Sequence, residues 1–402
     1  MIFDVFFSIC QTEVDDYTPS EKQMLLNFFD QVKHADQLGY QTAWVAETHL
    51  SCQIQKENPG AVIPHFKGEI GLNTDILQLA HKVFAQTKNI NVGSAIRNIL
   101  CNGGPIAHAE AIKTFLTLHD LKTDESRLLE IGFASGRFQF SNTPYGIKPR
   151  NELEKAAWNV VKGKIFHEAT EIFLRLLKGE IFSSSDVTPK YISKSDFRTE
   201  EDWQKLIKLI GEEREKIEIA PFWIFDKIGV IPFDAPLKYL RLTIGSHESF
   251  AQEWANKFYP CGVFNLSITP ANEIEETHQR MKGVYNNQGG EWNRSLMPRT
   301  VLVFINSDKN LTEDQQRSIA RDNAQKAISN YWKALEGTLD QKKVDNAVDN
   351  ALVGTSDDII KQIKKRFNQD DRLMLWFDFN NHDNEYVKNS MSWFINEVKP
   401  SI

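Results

Sequence analysis

Glu47 and His49 stand two residues apart, directly after a short apolar run over 42–46 that is typical of a β-strand. On an extended backbone, residues two apart project to the same side, so the carboxylate and the imidazole are expected to lie together. Histidine can carry a proton near neutral pH, and a carboxylate can anchor it by a hydrogen bond. We therefore take Glu47 and His49 as candidate catalytic residues. A buried structural carboxylate beside an incidental histidine explains the same two residues equally well.

A second candidate site follows the fifth predicted strand, where Gly245, Ser246 and Ser249 precede a helix predicted over 250–257. Free backbone N–H groups and the helix dipole favour an anion at such a point, and a phosphate group fits there. Arg137 and Arg150 are candidate counter-charges. Serine also caps helices in the absence of any ligand, so capping alone remains the alternative interpretation.

Short β-rich apolar runs alternate with amphipathic helical stretches almost from end to end. This pattern predicts parallel strands joined by helical crossovers. Eight βα units without a Pro- or Gly-rich linker indicate an α/β fold, a (β/α)₈ TIM barrel with insertions, as one domain over residues 1–402. The insertions are expected at about 51–72 and 180–236, the second with a helix over 200–217. The predicted strands cover 2–10, 42–46, 90–96, 128–133, 240–244, 262–267, 300–305 and 372–378.

The barrel is favoured over an open doubly wound sheet because residues 8–12 contain no glycine. An open sheet of that kind usually brings a G-x-G-x-x-G turn after its first strand. In a barrel the ligand site is built by the loops at the carboxyl ends of the strands. The polar clusters at 47–49, 97–98, 135–137 and 245–249 are therefore the ones expected to meet a ligand.

Composition excludes several classes of function. The 402 residues include 47 Lys and Arg against 54 Asp and Glu, a net charge of −7, which argues against a nucleic-acid partner. No apolar run approaches the ~18 residues of a membrane span, and the start lacks a basic leader pattern, so a cytoplasmic protein is expected. The four cysteines are far apart and no histidines pair at ligand spacing, so no metal site is expected. Motifs of nucleotide hydrolysis, zinc proteolysis and serine hydrolysis are missing from the sequence.

Several segments together resemble the bacterial luciferase-like family of flavin-dependent monooxygenases. Ala-Asp-Gln-Leu-Gly-Tyr at 35–40, followed by Trp-Val-Ala-Glu-Thr-His at 44–49, resembles the family's A-x-x-L-G-F … W-V-x-E-H-H pattern. The remaining similar segments run in order along the chain: 91–95 with Pro105 and 109–110, 126–136, 354–360 and 397–400.

The resemblance implies an enzyme that binds FMN, usually reduced by a separate flavin reductase, and activates O₂ as a flavin peroxide to oxidise a small organic substrate. Its pocket would lie over Ser94, Ala95 and Ile96, where members often have a non-proline cis peptide. The phosphate would lie near Ser246, Ser249 and Arg150. The cluster Ser135, Gly136 and Arg137 is assigned to the same cofactor, and a homodimer through the helices that hold Ala80 and Glu110 is expected.

The sequence departs from the family pattern at Thr48, where the luciferases have the first histidine of E-H-H. Threonine cannot act as an acid or base near neutral pH, so proton transfer would fall to His49. The glycine expected before Arg127 is also missing. Two alternatives remain: a hydride-transferring oxidoreductase that uses the deazaflavin coenzyme, and a non-catalytic flavin-binding protein of the same fold.

Overall fold

Nine parallel strands form one curled sheet, and a separate pair of antiparallel strands lies outside it. The computed structural model describes residues 1–59, 61, 63–336 and 340–402. The strands are β1 Ile2–Phe7, β2 Thr42–Val45, β3 Asn91–Asn98, β4 Leu129–Ala134, β5 Lys190–Ser193, β6 Lys216–Ile219, β7 Leu240–Ile244, β8 Cys261–Val263, β9 Arg299–Ile305, β10 Leu352–Gly354 and β11 Arg372–Trp376.

The α-helices alternate with these strands along most of the chain. They are α1 Glu21–Leu38, α2 Cys52–Gln55, α3 Ile76–Gln86, α4 Gly104–His119, α5 Gln139–Asn142, α6 Glu152–Ala156, α7 Trp158–Leu177, α8 Glu200–Ile210, α9 Ser249–Phe258, α10 Ala271–Val284, α11 Glu313–Glu336, α12 Gln341–Asn350, α13 Ser356–Arg366 and α14 Asn384–Trp393. A capping box forms at the start of α11, where Thr312 Oγ1 accepts the Gln315 N–H at 3.3 Å and the Gln315 side chain accepts the Thr312 N–H at 2.9 Å. At the start of α1, Ser20 Oγ caps the Gln23 N–H at 3.2 Å, and the Gln23 side chain donates to Asn27 instead of completing a box.

The large sheet has the strand order β10-β9-β11-β1-β2-β3-β4-β7-β8. After β8, Asn265 accepts the N–H of Thr300 at 3.1 Å and donates its own N–H to the Pro298 carbonyl at 2.9 Å. These two bonds join the far end of the sheet to β9, and eight strands thereby surround a common interior. The predicted (β/α)₈ barrel is confirmed, with all eight predicted strands present and β10 as an additional short strand on β9.

The interior of the barrel has an apolar layer above a charged one. Phe6, Trp44, Phe264 and Met374 pack against one another, with Ala95, Ile96 and Trp376 at their edge. Below them, Arg372 donates to Asp4 and Glu130. Alternate residues of a strand face the same side, which explains why positions 372, 374 and 376 all point inward.

Two connections depart from the βα pattern, at about the positions expected from the sequence. Residues 46–75 join β2 to α3, and residues 178–239 join α7 to β7. In the second, the helix predicted over 200–217 ends instead at Ile210, because Gly211 takes a left-handed conformation with φ +81°. The remainder of that prediction is wrong: Lys216–Ile219 is strand β6, which pairs with β5.

Within the described residues, no helix combines the length and the apolar character that a membrane crossing requires. A search of the same residues for three or more His, Cys, Asp or Glu side chains grouped around a possible metal ion also finds none.

Candidate active site at the mouth of the barrel

The floor of the barrel mouth is made by an irregular stretch of β3. The Ala95–Ile96 peptide is cis, as the resemblance predicts, and the ladder to β4 shifts register between Ser94 and Arg97. Ile96 reaches across the barrel toward β7, where a Cβ on Gly245 would lie 2.4 Å from Ile96 Cδ1. Glycine at 245 therefore lets the Ile96 side chain close the floor.

Glu47 is held in a cluster of hydrogen bonds just behind this floor. Its side chain is fully buried, with Arg97 Nη1 at 3.3 Å from Oε1 and the Ser94 hydroxyl donating to Oε2 at 3.1 Å. Arg97 Nε in turn donates to His108 Nδ1 at 2.8 Å. Burial, with Arg97 beside it, lowers the pKa of His108 to about 3, so this imidazole is neutral. The Glu47 carboxylate, which is paired with Arg97, is thus placed to orient the side chains of Arg97 and Ser94.

His49 lies beside this cluster, as its spacing from Glu47 predicts. Its Nε2 is 3.3 Å from Glu47 Oε1, and the Asn102 amide contacts its Nδ1 at 3.1 Å. The ring is 6% exposed, and Nε2 is buried without a hydrogen bond to any group of the described chain. A buried ring nitrogen of this kind is available to a ligand.

Asp378 is a functional candidate that the sequence analysis did not name. It follows β11 in register with the inward-facing Trp376, and its Oδ2 accepts the N–H and the hydroxyl of Ser8 at 3.3 and 3.4 Å. Its Oδ1 is buried and has no partner among the described residues. Burial raises the pKa of Asp378 to about 7, while the Ser8 N–H and the nearby Trp376 indole oppose the rise. This carboxyl group can carry or release a proton near neutral pH.

Trp376 supplies a third unpartnered polar atom at the same rim. Its indole Nε1 is buried and lies near Asp378 without the geometry of a hydrogen bond. The ring packs on Phe6 with centroids 4.5 Å apart, which fixes its orientation. Since β11, β1 and β2 are adjacent, the rim presents a donor at Trp376, a carboxyl oxygen at Asp378 and an imidazole nitrogen at His49.

The residues expected near a cofactor phosphate lie on the opposite side of the mouth, after β4 and β7. Ser246 Oγ accepts the Glu248 N–H at 3.2 Å, and Ser249 is exposed at the first position of α9. Gly136 has φ +75° and its carbonyl accepts from Lys162 Nζ at 3.1 Å. Lys162 is a cation of this region that sequence reasoning missed.

Two other predicted cofactor residues occupy the turn between these groups. Ser135 is half-buried, and its carbonyl accepts from the Asn142 amide at 3.2 Å. Arg137 is exposed, with its guanidinium 5.5 Å from the centroid of the Phe138 ring. Arg137 is therefore free to turn toward an anion.

Arg150 is engaged elsewhere. It pairs with Glu154 and donates to the carbonyls of Ala220 and Pro221 at 2.7 and 2.6 Å. Its guanidinium thereby fastens the connection between α7 and β7 to the barrel. The structure does not bring Arg150 together with Ser246 in any direct contact, and its role toward a phosphate stays a prediction.

Of the two residues that sequence reasoning missed, Asp378 had a signal and Lys162 did not. Asp378 ends the predicted strand 372–378, as Arg97 of the predicted cluster 97–98 follows the strand 90–96, whereas Lys162 lies within α7. Asp378 and Arg97 differ from other polar residues at strand ends in their burial and in their hydrogen-bond partners, and both depend on the three-dimensional structure.

Comparisons with known proteins agree with this architecture. Residues 1–198 match the family model described as luciferase-like monooxygenase. No curated protein matches the sequence. Among solved structures, monooxygenase RslO1 from Streptomyces bottropensis is similar with a TM-score of 0.67 and 16% identity, covering 100% of this chain and 99% of that one.

Two further solved structures share the fold along nearly the whole chain. The oxygenating constituent of 3,6-diketocamphane monooxygenase from Pseudomonas putida, a type II Baeyer-Villiger enzyme in complex with FMN, has a TM-score of 0.61 and 14% identity, covering 100% of this chain and 99% of that one. DmoA from Hyphomicrobium sulfonivorans has a TM-score of 0.61 and 12% identity, covering 99% and 88%. The resemblance read from the sequence is confirmed: residues 1–198 match the model of the luciferase-like monooxygenase family, a family of enzymes, and the whole chain has the fold of these monooxygenases.

Proposed function

We propose that the protein is an FMN-dependent monooxygenase that transfers one oxygen atom of O₂ to a small organic substrate at the barrel mouth. The observation that carries the proposal is a set of three buried polar atoms that form no hydrogen bond within the described chain: Trp376 Nε1, Asp378 Oδ1 and His49 Nε2, the last of which lies 3.3 Å from Glu47 Oε1. Buried polar groups in native proteins are nearly always hydrogen-bonded, so three at one rim indicate a polar ligand. The family of residues 1–198 supports the type of reaction.

The side chains at the barrel mouth match the chemical character of an isoalloxazine ring. Such a ring is flat and apolar on its faces and carries hydrogen-bonding groups along one edge. Ile96 and Ala95 offer an apolar floor, and the rim offers a donor at Trp376 and a nitrogen at His49. That the similar 3,6-diketocamphane monooxygenase component is in complex with FMN supports this choice of cofactor. When bound, the reduced flavin supplies the electrons with which O₂ is activated.

The chain itself would exclude water and hold protons. The packed layer of Phe6, Trp44, Phe264 and Met374 seals the interior beneath the site, which keeps the reacting groups away from bulk solvent. Asp378, with its pKa near 7, would donate or accept a proton at Oδ1. His49 would do so at Nε2, with Glu47 and Asn102 fixing its ring.

The phosphate of the cofactor would lie between the loops after β4 and β7. Gly136, Ser246 and Ser249 offer backbone N–H groups and hydroxyls, and Arg137 and Lys162 offer positive charge. Glu248 stands in the same loop, and its carboxylate lies 3.3 Å from His167 Nε2, which directs it toward α7.

The proposal also includes two partners. A separate reductase would supply the reduced flavin, and a second copy of the chain would bind at α3 and α4. A groove of about 550 Å³ runs between those helices and is lined by His81, Ala107, Glu110 and Leu118. Leu118 is 51% exposed there, which suits an apolar contact.

The decisive test is binding followed by isotope transfer. The chain is titrated with FMN and, separately, with the deazaflavin coenzyme, and fluorescence quenching gives the two affinities. Photoreduced FMN with ¹⁸O₂ is then supplied with a panel of small ketones, sulfides and alkanes, and mass spectrometry measures ¹⁸O in the products. FMN binding with label transfer is expected. Preference for the deazaflavin, or flavin binding without transfer to any substrate, would contradict the proposal and favour one of the two alternatives.

A further inference from the structure

A cavity of about 200 Å³ lies at the amino-terminal end of the barrel, the end opposite the candidate active site. Arg299 and Arg372 are the first residues of β9 and β11, and both line it. Arg294 and Arg366 line it as well. Four arginines thus line one small space.

Two of these four charges are already compensated. Arg372 is held by the carboxylates of the barrel interior described above. Arg294 pairs with Asp371 at 2.7 Å and with Glu275 at 2.6 Å. Asp371 and Glu275 are the acidic residues that line the cavity, so both are engaged with Arg294.

Arg299 and Arg366 are not compensated in this way. Within the described residues neither forms an ion pair, and their bonds go to neutral carbonyls: Arg299 Nη2 to Thr269 at 3.3 Å and Arg366 Nη1 to Ala351 at 2.8 Å. Arg299 Nε is buried with no partner in that part of the chain. Both guanidinium groups lie 5.4 Å from the centroid of the Phe367 ring, so they share one neighbourhood.

The electrostatics of this pair are unfavourable as they stand. Burial lowers the pKa of both arginines, and the charge of Arg366 lowers that of Arg299 further, while Asp371 opposes this. Removing a charged group from water without a counter-charge costs free energy, and an unpartnered buried donor adds to the cost. A bound anion would relieve both.

We infer that this cavity is a binding site for a phosphate group, held by Arg299 and Arg366. The planar guanidinium presents paired N–H donors that match the oxygens of phosphate, and such charge-assisted bonds are the strong ones. The site is separate from the flavin site, since it lies at the other end of the strands. Its occupancy would link the start of β9 to the end of α13, and would stabilise the base of the barrel.

The test uses the full chain and inorganic phosphate. Calorimetric titration gives the affinity, and thermal unfolding is compared in phosphate and in chloride at equal ionic strength. Arg299→Gln and Arg366→Gln should each weaken phosphate binding about tenfold or more, the usual worth of a charge-assisted hydrogen bond. Arg321→Gln, on the exposed face of α11, removes the same charge elsewhere and should leave binding unchanged.

Two further arms separate this site from the flavin site and from other sources of phosphate. Phosphate binding at the cavity should persist at saturating FMN; binding that FMN abolishes and Arg299→Gln does not would overturn the inference. Glycerol phosphate tests whether a phosphomonoester is accepted as well as the free ion. If the glutamine variants fail to fold, Arg299→Lys and Arg366→Lys keep the charge but lose the paired donors, and should still weaken binding. Equal stabilisation by phosphate and chloride would also overturn the inference.

Discussion

The two ends of the barrel interior both carry charged side chains, yet they differ in how these groups are satisfied. At the base, Arg372 donates to Asp4, Glu130 and Thr42 over distances of 2.6 to 2.9 Å, and one acceptor, Asp4 Oδ1, is left over. At the mouth, Asp378 Oδ1, Trp376 Nε1 and His49 Nε2 are all buried and form no hydrogen bond within the described chain. The Arg372 network thus leaves one buried polar atom without a hydrogen bond, whereas the mouth leaves three. Both lie at strand ends, so the number of buried polar atoms left without a hydrogen bond is what distinguishes the Arg372 network from the candidate site.

The largest effect is expected at the base, from Arg372→Met. Removing the guanidinium leaves the carboxylates of Asp4 and Glu130 buried without their counter-charge, which should lower the free energy of unfolding by about 3–5 kcal/mol. Urea denaturation measures this. Adding Glu130→Gln to the variant should recover part of the loss, because one uncompensated charge is removed. Additive losses in the double variant would show that the network does not act as a unit.

At the mouth, Asp378→Asn should change how stability depends on pH. Burial raises the pKa of Asp378 from 3.8 to about 7, so the folded chain keeps a proton that the unfolded chain releases. The bound proton therefore stabilises the folded chain, by up to about 4 kcal/mol. This stabilisation is fully present below the pKa of the unfolded chain and is lost as the pH rises to about 7. The variant should lack this loss, as urea midpoints at pH 5 and pH 8 would show.

Burial also raises the pKa of Asp4, to about 6, so Asp4 makes stability depend on pH in the same sense. The wild type and the Asp378→Asn variant share this part of the pH dependence. The exposed Asp349→Asn is the matched control and should retain the wild-type pH dependence. An identical pH profile for Asp378→Asn and the wild type would mean that Asp378 is ionised in the folded state and is a structural group like those of the base.

His49→Gln tests whether the mouth is catalytic. Glutamine keeps a hydrogen-bonding side chain but cannot carry a proton, so kcat for substrate oxidation should fall about a hundredfold, within the usual worth of general acid-base catalysis. FMN affinity should change by less than this, and the exposed His65→Gln should behave as wild type. A loss of FMN binding with kcat unchanged would assign His49 to cofactor holding instead.

Gly245→Ala gives the smallest effect and addresses the floor of the mouth. The new Cβ would lie 2.4 Å from Ile96 Cδ1, and this flexible end of the side chain must move. A cost of about 1 kcal/mol in stability is expected, with FMN affinity weakened a few-fold as Ile96 is displaced into the mouth. Gly163→Ala, where a Cβ meets nothing within 4 Å, is the control. Unchanged FMN affinity in Gly245→Ala would place the cofactor away from this floor.

Much of the barrel could be predicted from the sequence, because the spacing of apolar residues in strands and helices is a local property of the chain. The eight strands and the 3.3 Å approach of His49 to Glu47 were both predictable. The pairing of Glu47 with Arg97 was not, since it depends on how far β3 bends at its carboxyl end. Asp378 stood at a strand end like the named candidates, but the burial that raises its pKa depends on how the folded chain surrounds it, and its hydrogen-bond partner Ser8 is 370 residues away in sequence.

The connection between α7 and β7 is fastened to the barrel through its main chain. Glu168 accepts the N–H groups of Phe222 and Trp223 at 2.9 and 3.0 Å, and Arg150 donates to the carbonyls just before them. These hydrogen bonds recognise only peptide groups, but Phe222 and Trp223 also pack on the core, and the Arg150 guanidinium lies 5.0 Å from the centroid of the Phe222 ring. Ala220 and Pro221 are exposed and contribute only their carbonyl oxygens. Residues 220 and 221 could therefore change type over evolutionary time, or in a mutant library, and reshape the neighbouring surface while the segment stays docked.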